Sequence, residues 1–275
     1  MKKYASLLFA IMFVCFFANA QNIGVQLYSF RNQFKTDVKG TVETIKKMGI
    51  TEVEGGGSYG MTPAAFKQLL DDNGIKTVSV GADFKELSEN PQSIIDNAKF
   101  FGAKYIMCAW IPHDSKGFTI EDAKNAVAVF NKAGKLFTEN GLTFCYHAHG
   151  YEFLPYENGT IFDYLMQNLD PKYVNFEMDV FWIKQPGQDP VALMKKYSGR
   201  FKLLHLKDRK IGTPNSLDGR ADEETNVVLG TGDIGIAAIM KEAKNQGIKH
   251  YFIEDESSHP VEQIPQSLAY LKTLK

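Results

Sequence analysis

From Ile23 onward the chain repeats one unit: a short apolar run, a turn, an amphipathic stretch, then Gly or a polar stop. The strand-like runs are Ile23–Phe30, Ile50–Glu54, Thr77–Ala82, Lys104–Trp110, Leu142–His149, Val174–Phe181, Phe201–Lys207 and His250–Glu254. Short apolar runs bounded by turn residues read as strands. Helical patterns fill 37–48, 62–73, 91–101, 119–140, 160–169, 189–199, 234–246 and 260–273. Asp37, Thr62-Pro63, Asn90-Pro91, Thr119 and Asp189-Pro190 are expected helix starts, since a side-chain oxygen there takes a free amide and proline suits the first turn. Glycines 49, 74, 102, 141 and 247 are expected stops, where the chain leaves the helix in a left-handed conformation. Strands that alternate with helices pair in parallel, because each helix returns the chain to the same end of the sheet. Eight such units in a chain of 275 residues predict one α/β domain, a (β/α)8 TIM barrel over 21–275. An open doubly wound sheet is the alternative, but no Gly-x-Gly-x-x-Gly follows the first strand.

The first twenty residues read as an address. Lys2 and Lys3 precede an apolar run from Tyr4 to Phe17, and Ala18-Asn19-Ala20 forms a small-x-small cleavage site. The expectation is a signal peptide over 1–20, cleaved near Ala20, and a secreted or periplasmic mature chain. Cys15 is flanked by bulky Val14 and Phe16, which does not suit lipid attachment. Charge narrows the partners. Lys+Arg 31 against Asp+Glu 32 gives a net charge of −1, and −3 once Lys2 and Lys3 are removed. That balance carries no basic footprint for nucleic acid or anionic lipid, and no mature segment approaches the length of a membrane helix. Cys108 and Cys145 fall inside apolar runs and are expected to be reduced core thiols.

In a barrel of this kind the active site forms at the C-terminal strand ends, and there the chain turns polar. Run 5 reads Thr143-x-Cys145-x-His147-x-His149, run 6 ends Asn175-x-Glu177-x-Asp179, run 7 ends His205-x-Lys207, run 8 ends Glu254-x-Glu256 and run 2 ends Glu52-x-Glu54. Residues two apart share a face, and an outward set would press unpaired charges into the helix layer. The inward assignment therefore gathers imidazoles and carboxylates at the mouth. Such a set suits Mn²⁺, Zn²⁺ or a similar divalent ion. Taken singly, a His at a strand end is equally explained by hydrogen bonding and an Asp by capping; four strands behaving alike at one face favour the metal. Gly230-x-Gly232 could lay amides near a ligand or form a tight turn, loop 209–232 could be a lid or a solvated loop, and Gly55-Gly56-Gly57 reads as an open rim or a plain turn. Trp110 and Trp182 could wall a sugar ring or pack in the core; His113, His250 and His259 are taken as surface or structural.

The segments Phe144-Cys145-Tyr146-His147-Ala148-His149-Gly150-Tyr151-Glu152-Phe153, Met178-Asp179-Val180-Phe181-Trp182, Leu204-His205-Leu206-Lys207-Asp208 and Phe252-Ile253-Glu254 resemble the xylose-isomerase-like TIM-barrel superfamily. That group holds sugar-phosphate isomerase/epimerase-like proteins, inosose dehydratases, ketose 3-epimerases and endonuclease IV. The resemblance spans the mature chain and implies one divalent metal ion (Mn, Zn, Mg or Co) held by His147, Asp179, His205 and Glu254. Ketose epimerases carry Glu at the strand-5 position, where this chain has His147. The His147/His149 pair is closer to the inosose dehydratase branch and to keto-glycoside lyase-like proteins.

The resulting expectation is an exported, metal-dependent carbohydrate isomerase, epimerase or lyase acting through an enediolate on a sugar or keto-sugar. Glu152, His149 and Glu54 are the candidate acid/base groups and Lys207 the candidate donor to the developing oxyanion. Export favours free sugars or keto-glycosides over sugar phosphates, and no tight Lys/Arg cluster opposes that. A non-catalytic carbohydrate-binding barrel is the alternative. The expected partner is a small carbohydrate; a homo-oligomer is compatible with the pattern.

Overall fold

The computed structural model of the protein describes residues 22–274; the signal peptide expected over 1–20 lies outside them. Eight strands close into a barrel: β1 (Asn22–Gln26), β2 (Glu52–Glu54), β3 (Lys76–Gly81), β4 (Tyr105–Cys108), β5 (Thr143–His147), β6 (Val174–Asp179), β7 (Phe201–Leu206) and β8 (His250–Ile253). Every neighbouring pair is parallel and consecutive, with β8 pairing β1 to close the ring. Eight principal helices alternate with them: α1 (Val38–Lys47), α2 (Pro63–Asp72), α3 (Pro91–Phe101), α4 (Ile120–Glu139), α5 (Ile161–Asn168), α6 (Pro190–Lys196), α7 (Ile236–Asn245) and α8 (Pro260–Thr273).

The expected caps form at Asp37, Thr62, Thr119 and Asp189, each accepting from an amide of the first turn. Asn90 differs. Its side chain makes no cap, and its carbonyl accepts from the Ser93 hydroxyl instead. The five expected stop glycines all have positive φ.

Alternation sorts the side chains. On β5, Phe144 and Tyr146 point outward onto Phe130 and Phe137 of α4, while Cys145 packs inside with Leu203 and Phe252, all fully buried. Burying an aromatic or aliphatic side chain of this size contributes about 1.5–3 kcal/mol. Met107 pairs Cys145 and Cys108 pairs Tyr146 across β4–β5. The two thiols therefore face opposite sides of the sheet, and both are free. Register is even around the barrel except at two places: between Val53 and Glu54 on β2, and between Phe176 and Glu177 on β6. Each shift falls beside a carboxylate of the mouth, where irregular pairing re-aims a side chain.

Four apolar runs end two or more residues earlier than the sequence pattern predicts, that of β4 at Cys108 among them. Leu27–Phe30 forms a 3-10 turn, Val180–Lys184 a short helix, and β5 stops at His147. Among the described residues no helix is long and apolar enough to cross a membrane.

Candidate metal centre at the barrel mouth

Side chains from β2, β5, β6, β7 and the end of β8 meet inside the C-terminal mouth, all of them buried. His205 is the hub. Its Nε2 lies 2.6 Å from Glu54 Oε1 and its Nδ1 lies 3.1 Å from Glu254 Oε2. Glu177 Oε2 stands 3.3 Å from His205 Nε2 and 3.4 Å from His147 Nδ1. His147 Nε2 is 3.7 Å from Asp179 Oδ2, which is 3.8 Å from His205 Nδ1. Gln26 donates to Glu54 at 2.7 Å and steadies that carboxylate. Asp179 Oδ1 also accepts from the amides of Phe181 and Trp182, which fixes its side chain at the strand-to-helix corner.

All four ligands implied by the resemblance are thus brought together, with a difference of grouping. Asp179, His205 and Glu254 offer ligand atoms mutually within 4.8 Å, and so do His147, Glu177 and His205. Glu177 belongs to the cluster although the implied quartet omits it; the Asn175-x-Glu177-x-Asp179 alternation already marks it as inward. Glu52 does not join. Its carboxylate pairs with Asn22 and with His250 Nδ1, 2.7 Å away, at the strand starts.

The residues fit a divalent cation. Of buried Glu54, Glu177, Asp179 and Glu254, Asp179 and Glu254 pair with Lys207, while Glu54 and Glu177 meet histidine nitrogens. Glu54 Oε2, Glu177 Oε1 and His147 Nε2 are buried without a hydrogen bond. An excess of hard oxygens with imidazole nitrogens among them is the donor set of a Mn²⁺ or Zn²⁺ type ion.

Electrostatics follow from this crowding. Burial, together with nearby Glu54, pushes Glu177 well above the usual carboxylate range, and burial raises Asp179. Burial also acts on Glu254, but Lys207 and His205 outweigh it and hold that carboxyl well below its usual value. His205 runs the other way: burial opposes its charge, and Glu177, Glu254 and Glu54 overcome it, keeping the ring's affinity for its proton well above the ordinary. His147 is pushed well down by burial and by its neighbour His205.

Two expected roles change. Lys207 was expected to donate to an oxyanion. Its ammonium is buried and ion-paired with Glu254 at 2.7 Å, Glu256 at 3.1 Å and Asp179 at 3.2 Å, so its charge is engaged by three carboxylates. It neutralises and orients carboxylates instead. Glu152 was expected at the mouth as an acid/base. It sits on the helix side of β5, accepting from the Tyr146 hydroxyl and from the His149 amide at 3.1 Å. Tyr146 is outward-facing, so the carboxylate that meets it is behind the strand. Glu152 positions the turn that carries His149.

His149 does face the mouth. Its ring stacks on His147 with centroids 4.8 Å apart, meets Trp110 and Trp182 at 5.6 and 5.2 Å, and leaves Nδ1 buried without a partner. Burial brings its pKa down to about 4, with Lys207 acting in the same direction. The cavity above the cluster holds ≈ 360 Å³ and is lined by Gln26, Tyr28, His149, Glu254 and Glu256 among others. Trp110 is 39% exposed, whereas Trp182 is buried. Gln26, Tyr28 and Glu256 were not singled out from sequence; Glu256 was visible there as the i+2 partner of Glu254.

In two loops the structure decides between the readings left open by the sequence. Asp208 accepts from the amides of Arg209, Gly230, Gly232 and Ile234. The Gly-x-Gly segment therefore wraps a carboxylate of the chain itself, and a Cβ at Gly232 would come within 2.4 Å of Asp208 Oδ1. Gly56 lines the cavity and is packed: a Cβ there would meet Asn97 Nδ2 at 2.9 Å.

A closed parallel barrel whose C-terminal mouth gathers histidines and carboxylates from five strands places the chain among (β/α)8 barrels with a metal-type site. Within that class it belongs to the xylose isomerase-like TIM barrel family, whose sequence profile matches residues 42–274. It is 26% identical over 244 residues, 77% of this chain and 80% of the relative, to an inosose dehydratase of Klebsiella pneumoniae subsp. pneumoniae. Its backbone superposes with a TM-score of 0.76 on a sugar phosphate isomerase/epimerase from Parabacteroides distasonis, at 27% identity, covering 93% of this chain and 95% of that one. The IOLI protein, in a crystal structure with a zinc atom, shares the fold at TM-score 0.70 and 14% identity, over 92% of this chain and 97% of its own.

Proposed function

We propose that the protein is an exported carbohydrate isomerase, epimerase or lyase that uses one divalent metal ion and acts through an enediolate on a sugar or keto-sugar. Its sugar-modifying class follows from its relatives, inosose dehydratases and sugar isomerase/epimerases. Export rests on the leader pattern of residues 1–20. The observation that carries the metal and the chemistry is the convergence of Glu54, His147, Glu177, Asp179, His205 and Glu254 with unpaired ligand atoms at one mouth.

His147, Asp179, His205 and Glu254 would hold the ion, with Glu177 beside them. When bound, such an ion supplies Lewis acidity that polarises a carbonyl and stabilises enediolate charge. The remaining work belongs to the chain. His149, with Nδ1 unpaired over the cavity, takes or returns the proton at the carbon next to the carbonyl. Glu152 fixes His149 through its backbone amide. Glu54 holds Nε2 of His205 and sets its ring plane, leaving Nδ1 on the side of Asp179 and Glu254, and Gln26 holds Glu54 in turn. Lys207 keeps Asp179, Glu254 and Glu256 from repelling one another. Reprotonation of the enediolate gives isomerase or epimerase chemistry; loss of a β-leaving group gives lyase chemistry.

The test is isotope exchange. Metal-loaded protein incubated in D₂O with a panel of keto-sugars and keto-glycosides should place deuterium at the carbon next to the carbonyl, and His149→Ala should slow this by about 10²–10⁴-fold. Turnover without deuterium in substrate or product would rule out the enediolate.

A further inference from the structure

The far end of the barrel, below the strand starts, carries a groove of ≈ 500 Å³. That volume is ordinary for a small-molecule site. Its walls come from the last turns of α2, the start of β3, the turn from α3 into β4 and the start of β8. It shares no lining residue with the mouth cavity. Val78 and Tyr105, which line it, pack against the buried layer of Cys145, Leu203 and Phe252 inside the barrel.

Three lysines converge on this groove from three strand starts: Lys76 opens β3, Lys104 precedes β4 and Lys249 precedes β8. Among the described residues none of the three ammonium groups has an ion pair or a hydrogen bond. A fourth, Lys67, pairs with Asp71 at 2.6 Å. Glu52 is held by Asn22 and His250 and does not line the groove. Nor do the lysines cap the helices that end here. The carbonyls of Leu70 and Asp71 take the amides of Ile75 and Gly74, and those of Ala98 and Lys99 take the amides of Ala103 and Gly102. Four lysines against one aspartate leave three positive charges in excess, on a chain whose net charge is −1.

Between the lysines the surface is apolar. Leu70, Ile75 and Phe101 are buried, and Val78 and Tyr105 half-buried. The Tyr105 ring meets His250 edge-on, with centroids 5.7 Å apart, and its hydroxyl makes no hydrogen bond among the described residues. A lysine standing alone on a surface is satisfied by water. Lysines gathered round an apolar floor repel one another, and an anion placed among them relieves that repulsion.

We propose that this groove is a second binding site, for an organic anion with a flat apolar body, of the aryl carboxylate or aryl phosphate type. The body covers Ile75, Val78 and Phe101, and the anionic head meets Lys76, Lys104 and Lys249, with the Tyr105 hydroxyl as a further donor. Such a site needs neither the metal nor the sugar chemistry of the mouth.

Isothermal titration of the full chain with 1-naphthyl phosphate, 1-naphthol and inorganic phosphate separates head from body. Naphthyl phosphate should bind about tenfold or more tightly than either fragment, and more weakly as salt is raised. Lys104→Gln with Lys249→Gln should weaken it by about tenfold, and Tyr105→Phe by about threefold or more. Lys132→Gln with Lys241→Gln, both exposed and outside the groove, should leave it within about twofold. Chelator-treated and Mn²⁺-loaded protein should bind it alike. Absence of naphthyl phosphate binding at millimolar concentration would overturn the proposal, as would binding indifferent to the Lys104/Lys249 double variant. Binding that follows metal loading would seat the ligand in the mouth and also overturn it. Naphthol binding as tightly would remove the charge from recognition, and inorganic phosphate binding as tightly would reduce the lysines to an unspecific anion patch. Either result defeats the assignment. Co-sedimentation with phosphatidylglycerol vesicles, lost in the lysine double variant and without any naphthyl phosphate binding, would make this face a lipid contact in place of a small-molecule site.

Discussion

Glu152 makes the sharpest prediction, because its carboxylate is wholly buried and lacks a cationic partner. Burial raises its pKa from 4.5 to about 7, against the pull of the Tyr146 hydroxyl and the backbone amides. A carboxyl whose folded-state value lies above its unfolded one stabilises the fold fully below the unfolded value. That stability is lost as pH rises toward and through 7. The shift corresponds to about 3 kcal/mol at 1.36 kcal/mol per unit, or roughly 6–12 °C in Tm for a domain near this size. Glu152→Gln cannot ionise and keeps one acceptor oxygen for Tyr146 and His149. At pH 5 the variant should be less stable by about 1–3 kcal/mol, since its amide NH₂ enters a site built for acceptors. At pH 8 the deficit should vanish or reverse. Urea unfolding of both proteins from pH 4.5 to 8 gives the difference curve, which cancels the other buried acids. Parallel curves would refute the reasoning: Glu152 would then be solvated or charge-compensated in the native state.

Three further outcomes are expected. Asp179→Asn keeps the Oδ1 cap on Phe181 and Trp182 but removes the charge, so far-UV circular dichroism should be unchanged while mass spectrometry finds the protein no longer holding one divalent ion after dialysis. Asp208→Ala strips the acceptor from four amides, each orphan costing about 1–3 kcal/mol if left buried; limited proteolysis should then cut within 209–232 well before the wild type is touched. Thiol titration should find Cys108 and Cys145 both reduced and inaccessible until denaturant is added, because burial holds both thiols' pKa up, Cys108 at about 12.

The barrel was legible because its signals are local and repeated. Glycine stops, side-chain caps and apolar runs each act within a few residues, and eight repeats average out the errors at any one end. The misreadings share a cause. Val180-Phe181-Trp182-Ile183 is as apolar as a strand, yet Asp179 captures two amides there and turns the chain into a helix. Leu27–Phe30 likewise continues an apolar run after sheet pairing has ended at Gln26. The mouth residues on strands, His147, Asp179 and His205, could be placed inward because alternation holds up to the strand end. Glu152 could not: β5 stops at His147, and beyond that point no two-residue period says which way a side chain looks. The donors of Lys207 were misassigned for another reason. Which carboxylates converge on an ammonium depends on three strands at once, and no spacing along the chain encodes it.

The two breaks in register bear on how this scaffold can change. Pairing passes over Val78 opposite β2 and over Lys202 opposite β6, so Glu54 and Glu177 owe their aim to one uneven step in a neighbouring strand. A residue gained or lost in those strands would turn alternate side chains to the wrong side of the wall, whereas the loops above can lengthen at little cost. New specificities on this barrel should therefore be sought by diversifying the rims around Tyr28, Trp110 and 209–232. Libraries that leave the strand lengths alone will keep the metal-type cluster; those that alter them will mostly sample misassembled mouths.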